Sequence, residues 1–142
     1  MLIHKKTFRS HHDKVWNVSF NPKSNLLASS SGDHDVHLYA LTDDWNQVAS
    51  LPKEHKRTVR ALAWSPNGYY LATGSFDSTV GIWENEGKAD DWVCTSVLEG
   101  HESECKSVTF NSSSTLLASS SRDKSVWIWE GNSYLFHTFI LN

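Results

Sequence analysis

The sequence has little cysteine, little proline and no long apolar run. Its 142 residues include two Cys, three Pro and one Met, against seven Trp, four Tyr and six Phe. Two cysteines fit a reducing compartment. No 18-residue apolar stretch could span a membrane, and the N-terminus lacks the continuous apolar segment of a secretory signal. We therefore expect a soluble protein that stays inside the cell.

An excess of positive charge is also missing. Thirteen Lys and Arg stand against sixteen Asp and Glu, which gives a formal net charge of -3. Proteins that bind phosphate backbones or anionic membranes through charge carry strongly basic surfaces. The balance therefore predicts no membrane partner and disfavours nucleic acid. The 12% aromatic content argues against disorder, because unfolded segments carry few large apolar side chains.

Three copies of one unit fill most of the chain. They begin at His11, His55 and His101, with periods of 44 and 46 residues. In each copy an Asp follows the His by 22 residues, and an aromatic residue follows that Asp by six. The Asp and aromatic pairs are Asp33 and Tyr39, Asp77 and Trp83, and Asp123 and Trp129. A fixed period of this length indicates a repeat architecture.

Each unit divides into four short runs that are typical of β-strands. Residues 15–20, 26–31 and 126–129 are rich in β-branched and aromatic residues or alternate with period two, and turn residues separate the runs. The fourth runs cover residues 45–51, 92–98 and 134–141. Four strands in a unit of about 45 residues is the signature of a WD40 repeat, one blade of a β-propeller.

We therefore predict an all-β fold of three four-stranded antiparallel blades. Their ranges are residues 10–51, 52–98 and 99–142, and residues 1–9 form an outer closing strand. Propellers close with four to eight blades, so three blades make an incomplete propeller with two open flanks. Either the chain is a fragment of a larger propeller, or copies associate, and two copies would supply six blades.

The repeated polar residues resemble the structural tetrad of WD40 blades. The resemblance implies that the Asp carboxylate accepts a hydrogen bond from the His, and that a hydroxyl group and the aromatic side chain join them. We assign the hydroxyl to Ser31, Ser75 and Ser121, with the residues two positions earlier as the alternative. A catalytic His, Asp and Ser site is the competing interpretation. Recurrence in every repeat favours the structural role, because a hydrolase needs the constellation once.

The third repeat carries a narrower resemblance. Its segments LEGHESECKSV (residues 98–108) and LLASSSRDKSVWIWE (residues 116–130) resemble the third blade of the WD40 subunit of the cytosolic iron-sulfur protein assembly machinery. The second repeat is similar to that family's second blade over residues 57–84, and the first fits more weakly.

That resemblance implies a non-catalytic scaffold that helps to deliver iron-sulfur clusters to apoproteins. The implied partners are the other subunits of the targeting complex and the client apoproteins, in the cytoplasm and also in the nucleus. A truncated or self-assembling propeller fragment and a WD40 scaffold of another complex are the alternatives.

Neither a cofactor nor a metal ion is predicted. Cys94 and Cys105 are isolated in the sequence, whereas cluster sites need closely spaced thiolates. Cys105 takes the position of Val15 and Val59, which predicts that all three are buried apolar residues. The repeat uses three of the eight His, and the other five show no zinc-finger spacing with Cys or Asp.

The innermost strand and the hairpin that follows the second strand are predicted to face the central channel. Period-two alternation about the three buried positions directs their neighbours away from the core. The predicted partner-binding residues are Arg122, Arg60, Trp16, Phe76, Lys106 and Lys14. Trp, Phe and Arg often anchor protein interfaces. The resemblance also places Arg122 at a functionally required surface arginine of the family, and plain solvation of the surface is the alternative for each residue.

Overall fold

Three separate four-stranded sheets make up the protein. The computed structural model describes residues 1–131 and the backbone of residue 132 and of residues 135–141. Blade 1 contains β1 (Val15–Phe20), β2 (Leu26–Ser31), β3 (Val36–Ala40) and β4 (Asn46–Ser50). Blade 2 contains β5 (Val59–Trp64), β6 (Tyr70–Ser75), β7 (Val80–Asn85) and β8 (Trp92–Leu98). Blade 3 contains β9 (Cys105–Phe110), β10 (Leu116–Ser121), β11 (Val126–Asn132) and β12 (Leu135–Leu141).

Every blade is an antiparallel meander in which each strand pairs with the next along the chain. Each sheet lies within one of the three ranges expected from the sequence. Trp45 has a positive φ of 44°, so β4 begins one residue later than the predicted run. Tyr134, the predicted start of the last run, lies outside the described residues. Among the described residues no helix has the length and apolar character needed to cross a membrane.

The core lies between successive blades. One cluster joins Ala28, Val36 and Leu38 of blade 1 to Val59, Leu62, Trp64, Leu71 and Trp83 of blade 2. A second cluster joins Ala72, Val80 and Ile82 of blade 2 to Cys105, Val108, Leu117 and Trp129 of blade 3. Hydrogen bonds also cross the first boundary, since Trp64 Nε1 donates to the Ser19 carbonyl and Asn21 Nδ2 to the Gly68 carbonyl, each over 3.0 Å. The blades therefore stabilise one another face to face.

The described strands do not close a ring, and two sequence predictions fail for that reason. Residues 1–14, all within the described part of the chain, contain no strand, so the predicted closing strand over residues 1–9 is wrong. A strand needs a partner for its hydrogen-bond ladder, and no described strand lies beside this segment. Phe8 instead packs on Tyr39, with ring centroids 4.2 Å apart.

The second failure concerns Val15, which was predicted to be buried. Val59 and Cys105 are 0% exposed at the matching positions, whereas Val15 is 51% exposed. Blade 1 covers Val59 and blade 2 covers Cys105, but no described blade covers the corresponding face of blade 1. The sequence position is equivalent in all three blades, and the neighbouring blade decides burial.

A matched pair of valines tests this account of the core. We expect Val59→Ala to lower the free energy of unfolding by about 2 kcal/mol, because it leaves a cavity between two blades. Val15→Ala should change it by less than about 0.5 kcal/mol, because the side chain is half exposed. Urea denaturation followed by tryptophan fluorescence measures both. Equal losses for the two variants would contradict the assignment of the core to blade boundaries.

Candidate functional site

Each blade contains one hydrogen-bonded network built on the repeated Asp and His. The His Nδ1 atom lies beside the carboxylate, at 3.0 Å for His11 and Asp33, 3.2 Å for His55 and Asp77, and 2.8 Å for His101 and Asp123. The Nε2 atom lies 2.7 Å from Ser29 Oγ, 2.7 Å from Thr73 Oγ1 and 2.8 Å from Ser119 Oγ, respectively. The tautomer protonated at Nδ1 fits both contacts, because it donates to the carboxylate and accepts from the hydroxyl.

The aromatic residue of the third strand completes each network. In blades 2 and 3 the indole N–H donates to the hydroxyl oxygen, from Trp83 to Thr73 over 2.9 Å and from Trp129 to Ser119 over 2.8 Å. In blade 1 the Tyr39 hydroxyl lies 3.2 Å from Ser29 Oγ, so a phenol replaces the indole. The structure thus brings the predicted His, Asp and aromatic positions together in every blade.

The hydroxyl groups in these networks belong to residues two positions before the serines that we assigned. Ser31, Ser75 and Ser121 stand at the start of the hairpin, where each Oγ accepts the N–H of the following Asp over 3.2, 3.1 and 3.1 Å. Each also donates to a backbone carbonyl of the loop that leads into its blade, on residues 13, 57 and 103. The assignment of these three serines to the tetrad is wrong, because their hydroxyl groups bond to the backbone of the hairpin and the loop instead.

Backbone N–H groups supply most of the remaining bonds to each carboxylate. The loop residues His12, Lys56 and Glu102 donate over 2.8, 2.9 and 3.0 Å. The residues two positions after each Asp, namely Asp35, Thr79 and Ser125, donate over 3.0, 2.9 and 2.8 Å. Each Asp therefore ties its hairpin to the loop that leads into the same blade.

The pKa values of the three carboxyls show how strongly the networks favour the ionised form. Burial alone would raise the pKa of Asp33, but backbone bonds from His12 and Asp35 and the bond from His11 lower it to about 2. The pKa values of Asp77 and Asp123 also lie well below the usual value, although burial opposes the shift. All three carboxyls are therefore ionised and fully engaged at neutral pH.

A second hydroxyl joins the networks of blades 2 and 3, and the sequence analysis did not identify it. Thr79 Oγ1 and Ser125 Oγ each donate to the Asp carboxylate over 2.6 Å, two residues after that Asp. The signal was present in the sequence, since both repeats place a hydroxyl at this spacing. Blade 1 has Asp35 there instead, and its carboxylate pairs with Lys53 at 3.3 Å.

The network hydroxyls are poorly placed for chemistry on a substrate. Ser29, Thr73 and Ser119 are all buried, and each lies between an imidazole and an aromatic side chain. A nucleophile has to reach the atom that it attacks, with its base free to take the proton. The geometry therefore supports a structural role for the constellation in all three blades.

Three of the predicted partner-binding residues occupy one structural position. Trp16, Arg60 and Lys106 are the residues skipped by the register between the innermost strand and the second strand of their blades. A β-bulge leaves its extra residue outside the ladder and re-aims the side chain. The three side chains consequently remain partly exposed beside the hairpins that hold the Asp residues.

The bulge residues of blades 2 and 3 each contact an aromatic ring of the preceding blade. The Arg60 guanidinium lies 5.2 Å from the centroid of the Trp16 ring, and Lys106 Nζ lies 3.8 Å from that of Phe76. Both are cation–π contacts between neighbouring blades. We call this surface the inner rim, and it comprises Trp16, Arg57, Arg60, Phe76, Glu104, Lys106 and Arg122.

Glu104 is the anionic centre of the inner rim. Its carboxylate lies 2.7 Å from Lys106 Nζ, 3.5 Å from an Arg57 nitrogen and 3.8 Å from an Arg122 nitrogen. The hydrogen bond from Lys106 lowers the pKa of Glu104, and the positive charges of Arg122 and Arg57 act in the same direction. The Arg122 side chain is 71% exposed. Lys14, the sixth predicted contact residue, is 78% exposed and lies 3.8 Å from Asp13.

The structure also brings together residues that resemble metal ligands. Ring nitrogens of His11 and His37 and a carboxylate oxygen of Asp33 lie within 4.8 Å of one another. Internal bonds use these groups, however, since His11 pairs with Asp33 and His37 Nδ1 lies 2.8 Å from Ser50 Oγ. Burial raises the pKa of the Cys105 thiol to about 12, so it stays protonated at neutral pH, the form that does not bind metals.

Comparisons with known proteins follow the repeat pattern. The family described as "WD domain, G-beta repeat" matches residues 3–40, 45–84 and 92–130. Among solved structures, "Structure of U3-55K" superposes with a TM-score of 0.79 at 21% identity, over 93% of this chain and 41% of that chain. At this identity the likeness shows the fold alone.

Three curated relatives are named for cytosolic iron-sulfur protein assembly or as CIA1. "Probable cytosolic iron-sulfur protein assembly protein 1" of Cryptococcus neoformans is 44% identical over 75% of this chain and 35% of the relative. "Protein CIA1" of Arabidopsis thaliana is 47% identical over 70% of this chain and 30% of the relative. The Malassezia globosa protein is 58% identical over 51% of this chain and 23% of the relative. The chain thus spans about a third of the first relative's length, and less of the others.

Replacing one network carboxylate tests its structural role. We expect Asp77→Asn to lower the free energy of unfolding at pH 7 by about 3 kcal/mol, because the amide nitrogen cannot accept the bonds that the carboxylate accepts. Asp90→Asn is the control, an exposed turn residue that should cost less than about 0.5 kcal/mol. Chemical denaturation measures both, and an Asp77→Asn variant as stable as the wild type would contradict the structural assignment.

The pH dependence of stability, compared between the wild type and Asp77→Asn, gives a second test of the same carboxylate. A carboxyl with a lowered folded pKa stabilises the protein above its unfolded pKa, and that stability is lost as the pH falls towards the folded pKa. The difference in the free energy of unfolding between the wild type and Asp77→Asn should be constant from pH 7 to pH 5. At pH 3 it should be smaller by about 1 kcal/mol, since unfolded Asp is protonated below about pH 3.9.

Proposed function

Because the chain belongs to the WD40 family, we propose that it is a non-catalytic docking platform that binds protein partners through the inner rim. The single observation that carries the proposal is the row of cations and aromatic rings that runs across both blade boundaries, from Trp16 to Arg122. Aromatic and Arg side chains of this kind supply most of the binding energy at protein interfaces. The buried networks hold the row in place and leave it accessible.

The charge of the inner rim indicates the chemistry of the partner. Arg57, Lys106 and Arg122 surround the Glu104 carboxylate, and Arg60 adds a further cation over the Trp16 ring, on a protein whose formal net charge is -3. A local cationic surface on an acidic protein attracts carboxylates selectively and gains little from non-specific contact with polyanions. The partner is therefore a protein segment that presents Asp, Glu or a terminal carboxylate.

The likeness to the cytosolic iron-sulfur assembly proteins narrows the proposal further. The chain is homologous to them at 44–58% identity, but it spans only part of their length. The function that fits best is a scaffold that helps to deliver iron-sulfur clusters to apoproteins. Its partners are the other subunits of the cytosolic targeting complex and the client apoproteins, and its place is the cytosol. No cluster ligand is assigned to this chain.

A charge reversal at Arg122 tests the docking surface. We expect Arg122→Glu to weaken binding to purified subunits of the targeting complex at least about tenfold, because it places a repelling carboxylate where a cation faces the partner. Biolayer interferometry with the 142-residue chain immobilised gives the affinities.

The matched control is Lys23→Glu, which makes the same charge change in the turn between β1 and β2, at the far end of the blade from the inner rim. It should bind within about twofold of the wild type, as expected for a charge outside the interface. Circular dichroism confirms that both variants are folded. Equal binding by the wild type and Arg122→Glu would show that Arg122 lies outside the interface. No binding by any form would contradict the scaffold proposal.

A further inference from the structure

A groove lies between blades 1 and 2, at the opposite end of the strands from the inner rim. The β1–β2, β5–β6 and β7–β8 turns form its walls, and all of its lining residues lie between positions 21 and 92. Its volume of about 380 Å³ lies within the range of about 300–1,000 Å³ that is typical of ligand sites. We call this surface the turn groove, and its apolar lining residues are Leu26, Tyr69, Ala89 and Trp92.

Contacts between the two blades fix the walls of the turn groove. Asn21 Nδ2 of blade 1 donates to the Gly68 carbonyl of blade 2 over 3.0 Å. Gly68 has a positive φ of 79°, and a Cβ atom at this position would lie only 2.8 Å from Asn21 Oδ1. Trp92 packs edge-on against the core residue Trp64, with ring centroids 5.5 Å apart. The groove is therefore formed before a ligand binds, which lowers the entropic cost of binding.

The repeat pattern does not require an aromatic residue at position 69. Asn25 and Thr115 take the same position in blades 1 and 3, and small polar residues of this kind suit a turn. Tyr69 instead exposes 73% of its surface at the edge of the turn groove. Tyrosine is one of the residue types that supply most of the binding energy at protein interfaces. Tyr69 is therefore the candidate anchor for a ligand.

The amide side chains that line the groove are used by the turns themselves. Asn21 Oδ1 accepts the backbone N–H of Lys23 over 2.8 Å, in addition to the bond that Asn21 Nδ2 donates across the blade boundary. Asn85 Oδ1 accepts the backbone N–H of Gly87 over 2.9 Å. An apolar side chain is therefore the ligand group that fits best, because it gains from contact with the aromatic walls and needs no polar partner.

The turns around the groove are predominantly acidic. The β7–β8 turn contributes Ala89 to the lining. The β3–β4 turn lies beside the wall from blade 1, since the Leu41 N–H donates to the Asn25 carbonyl over 2.8 Å. The charge around the groove is thus opposite to that of the inner rim, and it attracts Lys and Arg side chains. The turns carry the carboxylates of Asp43, Asp44, Glu86, Asp90 and Asp91, against the amines of Lys23 and Lys88.

We propose that the turn groove binds a segment of a partner protein in which an aromatic or large aliphatic side chain is flanked by Lys or Arg. The apolar side chain lies between Tyr69 and Trp92, and the flanking cations face the acidic turns. The inner rim favours acidic segments, so the two surfaces select different partners at opposite ends of the blades. The turn groove does not depend on the function proposed for the inner rim, and each surface is tested without the other.

Peptide selection tests the chemistry of the ligand directly. A random peptide library is displayed on phage, depleted on the Tyr69→Ser variant and then selected on the wild-type chain. Depletion removes peptides that bind elsewhere, because Tyr69 is exposed and its replacement should leave the rest of the fold intact. We expect the enriched peptides to combine Trp, Phe, Leu or Ile with neighbouring Lys or Arg. An absence of enrichment, or enrichment of acidic peptides, would overturn the proposal.

Charge reversals then test the acidic turns with one enriched peptide, followed by fluorescence polarisation. The double variant Asp43→Lys and Asp90→Lys should weaken binding at least about tenfold, because repulsion replaces attraction on both sides of the groove. Lys23→Glu should tighten binding about threefold, because it adds a carboxylate at the edge of the groove. Affinity should also fall as NaCl rises from about 0.05 to 0.3 M, since salt screens these charges. Unchanged affinity in the double variant would contradict the proposal.

A matched control and a direct map of the site complete the test. Val97→Ser removes an apolar side chain that is 46% exposed on the outer strand of blade 2, and it should bind the peptide within about twofold of the wild type. Circular dichroism confirms that every variant is folded. In NMR spectra of the ¹⁵N-labelled chain, the peptide should shift the indole N–H of Trp92 and leave the backbone N–H groups of Arg60 and Lys106 unchanged. The reverse pattern would place the peptide on the inner rim and overturn the proposal.

Discussion

The fold depends on an ionised Asp that is held inside each blade by its hydrogen bonds. In every blade this carboxylate accepts a backbone N–H from the incoming loop, another from its own hairpin and a bond from the His ring. Hydrogen bonds to a charged group contribute about 1.5–3 kcal/mol each, more than neutral ones. A single side chain thereby fixes the hairpin, the loop and the start of the innermost strand relative to one another.

The exposed surface follows from that constraint. Once the loop and the hairpin are fixed, the bulge residue of the innermost strand is left outside the ladder beside them. Three bulges side by side place Trp16, Arg60 and Lys106 in one row, and Glu104 holds the cations around it. The buried network determines where the inner rim lies, and the residue types at the bulges determine the chemistry that it presents.

The sequence predicted the elements that depend on local pattern and missed those that depend on neighbours. Fixed spacings of His, Asp and aromatic residues identified the three blades and their networks. Alternation could not choose between Ser29 and Ser31, because residues two apart on a strand share a face and the turn decides their partners. It also gave no sign of the bulges. Val15 and the N-terminal segment were mispredicted because their burial and pairing depend on a covering blade.

The most direct test of the central constraint is amide hydrogen exchange at the loop N–H groups that bind the Asp carboxylates. His12, Lys56 and Glu102 lie outside every described strand, yet each donates to a carboxylate oxygen. Exchange measured by NMR should show these three amides protected as strongly as strand amides, because they open only when the blade opens. Rapid exchange at all three, at the rate of exposed loops, would contradict the account.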